Sequence, residues 1–201
     1  MGSKIGFWSA IINVCSVLGF AICMLADFLF GSYLASMLIA FSFVPMICAF
    51  AANGKSKMRT AGNTAMIFAG MYAMFILLVY FTQVTTLRNE SLSEQAVSLL
   101  DYTNFGWFFN LNLLGYGFMS ASTFFAGLTI DIKHKAEKWL KYLLMIHGVF
   151  AVSCFIMPIL GVFTNMDGAD AIGTYILLFW CVYFIPVGIL SFSYFNKRKA
   201  V

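Results

Sequence analysis

Charged residues are scarce in this chain: only 10% of its 201 residues are Asp, Glu, Lys or Arg, whereas 62% are hydrophobic. A soluble domain has about 25% charged and about 45–50% apolar residues. Proline is also rare, with three residues, and no long polar tract is present that would form a disordered linker. These absences exclude the soluble, disordered, collagen-like and nucleic-acid-binding classes. They favour a single polytopic membrane domain over residues 1–201.

The five cysteines form no C-x-x-C pair, and all of them lie inside apolar stretches. A secreted disulfide framework places its cysteines in polar loops, and a zinc site needs closely spaced ligands. Neither pattern is present. We therefore expect the cysteines to pack as small hydrophobic side chains, and we expect neither a metal nor a cofactor.

Six apolar runs are long enough to cross about 30 Å of hydrocarbon. They do not alternate as barrel strands do, and a single segment in lipid must satisfy its own backbone. The predicted fold class is therefore an all-α integral membrane protein, a six-transmembrane-helix bundle. Its spans are predicted at about 5–30, 33–52, 64–87, 104–130, 139–163 and 172–195.

The basic residues are distributed unevenly between the two sides of this predicted bundle. Eleven of the twelve Lys and Arg residues fall on one side, and Arg88 falls on the other. The positive-inside rule then places both termini in the cytoplasm. We expect a bacterial cytoplasmic (inner) membrane. The alternative is the endoplasmic reticulum membrane of a eukaryote, because Lys197-x-Lys199 matches a di-lysine retrieval pattern and Asn89-Glu90-Ser91 is a glycosylation sequon.

The connection between the third and fourth spans is predicted to contain a short helix around residues 92–102. Ser91 to Glu94 has the pattern of a capping box. Leu92, Ala96 and Leu99 then share one face with Leu100. We expect this helix to lie on the external membrane surface, and a solvated linker helix is the alternative.

Charges are also missing from the middle half of every predicted span. Intramembrane charges are usually functional, so their absence argues against a Schiff-base lysine or a paired-aspartate protease. The sequence contains no G-x-S-x-G elbow, no H-E-x-x-H motif and no phosphate-binding glycine loop. These absences favour a protein that is not an enzyme, although they leave the question open.

Neutral polar side chains inside the spans are the remaining lead to function. A central pocket that is apolar except for a few such groups suits an uncharged or amphiphilic ligand. The alternative is that the amides join neighbouring helices and that the histidine is a packed core residue rather than a proton carrier. The candidate ligand-binding residues are Asn13, Gln83, Asn112, Tyr116, Ser120 and His147.

The fourth span carries two kinds of residue that predict a central position. Asn112, Tyr116 and Ser120 share a face, and a stripe with Gly117 and Ala121 permits close helix approach. We expect this span to be the most buried one.

The leading functional hypothesis is a membrane protein that binds or transports a small neutral or lipophilic molecule. In size and span count the chain is similar to the substrate-capture subunits of energy-coupled vitamin transporters, which implies capture of a small molecule. A second hypothesis is an accessory protein that acts on a membrane partner protein through the basic loop Lys133–Lys141. The possible partners are another membrane protein or further copies of this chain in a homo-oligomer. A third is an intramembrane lipid-modifying enzyme that uses His147 with Tyr116 or Asp101.

Overall fold

A computed structural model describes residues 2–163 and 169–198 of the chain, and every element within these ranges is helical. Three short 3-10 turns, Ser56–Met58, Thr86–Arg88 and Tyr102–Asn104, lie between the α-helices. Asp167 and Lys199, which the sequence assigns to opposite sides of the membrane, lie outside the described residues. The helices are α1 (Gly2–Leu25), α2 (Leu29–Asn53), α3 (Arg59–Val84), α4 (Glu94–Leu100), α5 (Trp107–Thr129), α6 (Lys135–His147), α7 (Val149–Ile159) and α8 (Ala169–Arg198).

Five helical stretches are long and apolar enough to cross a membrane, and they coincide with five of the six predicted spans. The remaining predicted span, 104–130, forms α5. This helix has 23 residues, but its asparagines, glycines and hydroxyl side chains make it less apolar than the others. The five stretches are Gly2–Leu25, Leu29–Asn53, Ser56–Arg88, Lys135–Ile159 and Gly173–Arg198.

The long helices pack in a ring. α1 packs on α2, α2 on α3, α3 on α5, α5 on α6 and α7, α6 on α8, and α8 returns to α1. α5 also contacts α2 across the ring and α4 at its start, so it touches more helices than any other described element. α5 and α2 bury nearly the same share of their residues, eleven of 23 and twelve of 25, so α5 is not clearly the most buried helix.

The predicted span 139–163 is two helices, α6 and α7, because the chain breaks at Gly148. A Cβ atom on Gly148 would lie 2.8 Å from the Phe124 Cβ and 3.0 Å from the Met145 carbonyl oxygen. Only glycine therefore allows α5 to pass this close. Beyond the break α7 follows α5, whereas α8 packs on α1 and α6.

One end of the bundle, which we call the basic end, carries the two ion pairs of the described residues. Glu137 on α6 has its side chain 4% exposed and accepts from Arg198 Nη1 on α8 at 2.8 Å. The backbone N–H groups of Lys133 and His134 also donate to this carboxylate, at 2.6 and 3.1 Å. Three donors thus stabilise the buried Glu137 carboxylate, and the bond from Arg198 holds α8 against α6.

The second ion pair at the basic end is exposed. Lys55 Nζ lies 2.8 Å from Asp131 Oδ1, with the two side chains 54% and 35% exposed. The hydrogen bond from the Lys55 ammonium group lowers the pKa of Asp131 below its ordinary value. A pKa that is lower in the folded state than in the unfolded state stabilises the folded protein at pH values above the unfolded-state pKa. This stabilisation is lost as the pH falls through the folded-state pKa. Solvent screening keeps the effect of this pair small.

The opposite end, where residues 85–106 connect α3 to α5, is called the loop end below. The short helix predicted there is present as α4. Its N-cap is Ser93, whose hydroxyl accepts from the Ala96 N–H at 3.3 Å. The predicted cap, Ser91, was wrong: its hydroxyl donates instead to Asn89 Oδ1 at 2.8 Å.

Two glycines of α1 provide a test of this packing. A Cβ atom on Gly6 would lie 2.6 Å from the Ala49 Cβ and 2.8 Å from the Phe195 ring, whereas one on Gly19 would meet nothing within 4 Å. We expect Gly6→Ala to destabilise the protein by about 1–3 kcal/mol through overpacking. Gly19→Ala should leave stability unchanged or slightly raised, because alanine favours the helix. Melting temperatures in one detergent compare the two variants, and equal values would contradict the α1–α2–α8 packing.

Candidate functional site

A chain of hydrogen bonds centred on His147 joins three helices in the core. His147 is the last residue of α6 and is 1% exposed. Its Nδ1 lies 2.8 Å from Thr123 Oγ1 on α5. Its Nε2 accepts from Trp180 Nε1 on α8 at 3.0 Å. The imidazole therefore links the three helices that meet around the Gly148 break.

The partners of His147 determine its tautomer. An indole N–H can only donate, so Nε2 must accept and carries no proton. We therefore assign the proton of the neutral ring to Nδ1, from which it is donated to Thr123 Oγ1. The Thr123 hydroxyl in turn donates to the Ser120 carbonyl oxygen at 2.8 Å. A second proton on the imidazole would break the bond from Trp180, so this arrangement holds a neutral histidine.

Aromatic rings form a closed circuit through the middle of the bundle. Phe43 packs on Tyr72 with centroids 5.1 Å apart, and Tyr72 lies 6.1 Å from Tyr116. Tyr116 meets Trp180 edge to face at 6.0 Å, and Trp180 stacks on Phe184 at 4.9 Å. Phe184 returns to Phe43 at 6.4 Å. The circuit joins α2, α3, α5 and α8, so the interior is apolar and rigid around its few polar atoms.

A cluster of four neutral polar side chains adjoins this circuit, and we call it the Tyr80 cluster. The Tyr80 hydroxyl on α3 faces the side chains of Ser36, Asn112 and Tyr116. Ser36 and Asn112 are 1% and 4% exposed, yet neither Ser36 Oγ nor Asn112 Oδ1 makes a hydrogen bond within the described part of the chain. The hydroxyl groups of Tyr80, Tyr116 and Ser36 and the Asn112 amide can each both donate and accept. Ser36 Oγ and Asn112 Oδ1 are therefore buried polar atoms whose hydrogen-bonding capacity is not used within the described residues.

Three other predicted site residues bond elsewhere. Asn13 Nδ2 on α1 donates to Ser42 Oγ at 3.0 Å and to the Ile39 carbonyl oxygen at 3.3 Å, which joins α1 to α2. Gln83 Nε2 donates to the Leu100 carbonyl oxygen at 2.8 Å and anchors the loop end. Ser120 Oγ donates to its own helix, at the Tyr116 carbonyl oxygen. The six candidates thus do not meet at one point, and Asn112 and Tyr116 are the pair that lies together.

Sequence reasoning missed two residues of this region, Ser36 and the full role of Trp180. Ser36 is a neutral polar residue inside a predicted span, which was the criterion applied to the other helices and would have selected it. Trp180 lies in the middle of the predicted span 172–195 and is 6% exposed. Its hydrogen bond to His147 has no signal in the sequence, since 33 residues separate the two.

A cavity of about 500 Å³ opens at the loop end between α1, α2, α5 and α8, and we call it the loop-end cavity. Two of its lining residues, Asp27 and Phe105, have left-handed backbone conformations with φ of 51° and 52°. Such a conformation costs about 1–2 kcal/mol in a residue other than glycine and is common at functional sites.

The loop-end cavity and the Tyr80 cluster lie along the same helix faces. Phe109 lines the cavity on α5, and Asn112 follows it by one turn. Leu29 lines it on α2, and Ser36 follows by two turns. Because residues three, four and seven apart share a helix face, Asn112 and Ser36 lie on the same faces of α5 and α2 as the lining residues Phe109 and Leu29.

The described residues contain no group of three or more His, Cys, Asp or Glu that could hold a metal ion. No protein-family model, curated protein or solved structure matches this chain. The fold and the site thus define an all-helical protein with five helices apolar enough to cross a membrane and a neutral polar interior.

The hydrogen bonds of His147 lead to a prediction about the stability of the protein. Thr123→Val keeps the shape of the side chain but removes the acceptor for His147 Nδ1–H. We expect the free energy of unfolding to fall by about 1–2 kcal/mol, because the buried Nδ1–H of His147 is left without an acceptor. The loss stays small because polar groups in membrane proteins often find substitute partners. Thr82→Val is the matched control, since the exposed Thr82 hydroxyl bonds only to its own helix at the Leu78 carbonyl oxygen. Thermal unfolding measures the stability of both variants, and equal stabilities would contradict the hydrogen bond assigned between His147 and Thr123.

Proposed function

We propose that this protein is a six-span membrane protein that binds a small uncharged molecule in the Tyr80 cluster, as a transporter or a capture subunit. The observation that carries the proposal is that Ser36 Oγ and Asn112 Oδ1, which both face the Tyr80 hydroxyl, are buried and make no hydrogen bond within the described residues. A buried polar group without a hydrogen bond costs about 2–7 kcal/mol. A ligand that donates to Asn112 Oδ1 and forms a hydrogen bond with the Ser36 hydroxyl removes this cost, and the aromatic circuit excludes water around it.

The access route in this proposal runs through the loop-end cavity. The cavity lies one to two turns from Asn112 and Ser36 along the same helix faces. At the basic end the Glu137–Arg198 ion pair closes α6 against α8. This asymmetry favours entry of the molecule from the loop end.

A lipid bilayer is the environment that the outer surface favours. α7 buries none of its residues, and Val149 and Ile159 are 69% and 77% exposed. Exposed apolar side chains over whole helices suit contact with lipid rather than water. The basic end faces the cytoplasm in this proposal, because it holds the basic residues that the positive-inside rule counts. Both termini are then cytoplasmic. In this proposal α5 also crosses the membrane, in addition to the five more apolar stretches, and the host membrane is a bacterial cytoplasmic membrane.

The two other hypotheses receive less support. A lipid-modifying enzyme requires His147 beside a second titratable group, but both ring nitrogens bond to Thr123 and Trp180, which exchange no protons near neutral pH. An accessory role through Lys133–Lys141 receives no specific support: the side chains of Lys133, Lys135 and Lys138 are exposed, but no contact of theirs points to a particular partner.

Labelling of introduced cysteines tests the orientation. In a variant whose native cysteines are replaced by alanine, we expect Glu90→Cys to react with an impermeant maleimide on intact cells. Lys57→Cys and Lys197→Cys should react only after the membrane is opened, because both lie at the basic end. Reaction of Lys197→Cys from outside would contradict the N-in/C-in arrangement.

Two buried asparagines test the binding site. Asn112→Leu removes an acceptor without a partner, so we expect the melting temperature to stay the same while binding of the uncharged molecule is lost. Asn13→Leu removes two hydrogen bonds, and we expect it to lower the melting temperature by about 3–6 °C without affecting binding. Native mass spectrometry of the purified variants detects a co-purifying molecule, and thermal shifts with a panel of uncharged amides and alcohols detect added ones.

The opposite result would show that Asn112 joins helices. If Asn112→Leu melts as low as Asn13→Leu and the wild-type protein retains and binds none of the panel, the cluster is structural. Tyr80→Phe is a second variant of the same cluster, and its binding loss should match that of Asn112→Leu.

A further inference from the structure

The loop-end cavity has a rigid aromatic wall. Tyr102, Phe105 and Phe109 line it, and Phe105 meets Phe109 edge to face with centroids 4.8 Å apart. Phe163 supports both rings, parallel to Phe105 at 6.0 Å and perpendicular to Phe109 at 5.0 Å. Because their packing fixes these rings, their π faces are available to a cation at little loss of side-chain freedom.

The described residues that line this cavity carry one formal charge, and it is negative. Asp27 is the only ionisable acidic or basic residue among the described residues that line it, and neither ion pair of the described chain includes it. Asp101 adds negative potential nearby, since its carboxylate accepts from the N–H and hydroxyl of the lining residue Thr103 at 2.9 and 2.7 Å. A carboxylate beside aromatic rings is the arrangement that attracts an ammonium group.

We propose that the loop-end cavity binds a monovalent organic cation, an ammonium group carried on an apolar or aromatic body. Asp27 supplies the opposite charge, and the rings of Tyr102, Phe105 and Phe109 surround the alkyl groups. The volume of about 500 Å³ lies in the usual range for small-molecule sites, about 300–1,000 Å³. This site is separate from the Tyr80 cluster and does not rest on the function proposed for it.

Other ligand classes fit this cavity less well. Calcium takes six to eight oxygen ligands, and magnesium needs octahedral geometry, whereas one carboxylate and aromatic walls do not provide such a set. Anions are repelled by Asp27. Uncharged molecules gain from the rings and can at most donate a hydrogen bond to the carboxylate, whereas an ammonium group also gains the attraction between opposite charges. The charge of the ligand is therefore the property that an experiment must vary.

Three probes that share a benzene ring and differ in charge test the proposal on the full-length protein in detergent. They are benzyltrimethylammonium, benzyl alcohol and benzoate. We expect isothermal titration calorimetry to show binding of the ammonium probe, with the other two at least about tenfold weaker, since an ion pair and cation–π contacts together supply about this factor. Equal binding of benzyl alcohol and the ammonium probe would overturn the proposal.

Matched variants locate the binding. Asp27→Asn should weaken ammonium binding by about five- to tenfold, whereas Asp27→Glu should keep the preference for the ammonium probe over benzyl alcohol. Glu90→Gln removes an exposed carboxylate outside the cavity and should change nothing. If Glu90→Gln weakens binding as much as Asp27→Asn, diffuse surface charge is responsible and the proposal fails.

Aromatic variants and the Asn112 variant complete the test. Phe109→Leu should weaken ammonium binding, whereas Trp107→Leu, at an exposed ring on the first turn of the same helix, should not. Asn112→Leu should leave ammonium binding unchanged, because the Tyr80 cluster is a separate site. Loss of ammonium binding in Asn112→Leu would overturn the assignment to the loop-end cavity. Melting temperatures confirm that each variant is folded.

Discussion

Inside an apolar helix bundle an imidazole, hydroxyl or amide loses its bonds to water, and it costs about 2–7 kcal/mol if no protein group replaces them. His147 meets this requirement with both ring nitrogens. The bonds to Thr123 and Trp180 reach α5 and α8, so one side chain determines how three helices meet. The chain breaks at the next residue, Gly148, where the absence of a Cβ lets Phe124 approach.

The same requirement separates structural polar residues from candidates for binding. Asn13 and Gln83 use their amide N–H groups to join α1 to α2 and α3 to the loop end. Ser36 and Asn112 are as deeply buried, and Ser36 Oγ and Asn112 Oδ1 make no hydrogen bond within the described residues. Asn13 Oδ1 also lacks a partner there, but the Asn13 amide group donates to Ser42 and Ile39. Two unpartnered oxygens beside one hydroxyl group, that of Tyr80, are the reason to propose a ligand there and not at Asn13.

The two ends of the bundle differ in how they are held. At the basic end, Glu137 gathers Arg198 and two backbone N–H groups in a buried site, and the guanidinium group of Arg198 also lies 3.7 Å from the centre of the Tyr194 ring. At the loop end, the 3-10 turn at Tyr102–Asn104 and the left-handed residues Asp27 and Phe105 border a cavity instead. One end is therefore held by ion pairs, and the other has an aromatic wall beside a carboxylate, that of Asp27, which forms no ion pair with any described residue.

The sequence by itself determined the helical class, the approximate positions of the apolar runs and the grouping of basic residues at one end, because length, hydropathy and charge are properties of local segments. It also placed Asn112 and Tyr116 on one face of α5, since helical periodicity is local too. Which polar groups are satisfied was decided only by the tertiary structure. Asn13 and Asn112 are alike in sequence context, each five residues after a tryptophan, but the neighbouring helix provides Ser42 Oγ as an acceptor for the Asn13 amide group, whereas the Asn112 side chain faces the Tyr80 hydroxyl. Glu137 and Arg198 are 61 residues apart, and such pairings depend on how the ring of helices closes, which no local pattern encodes.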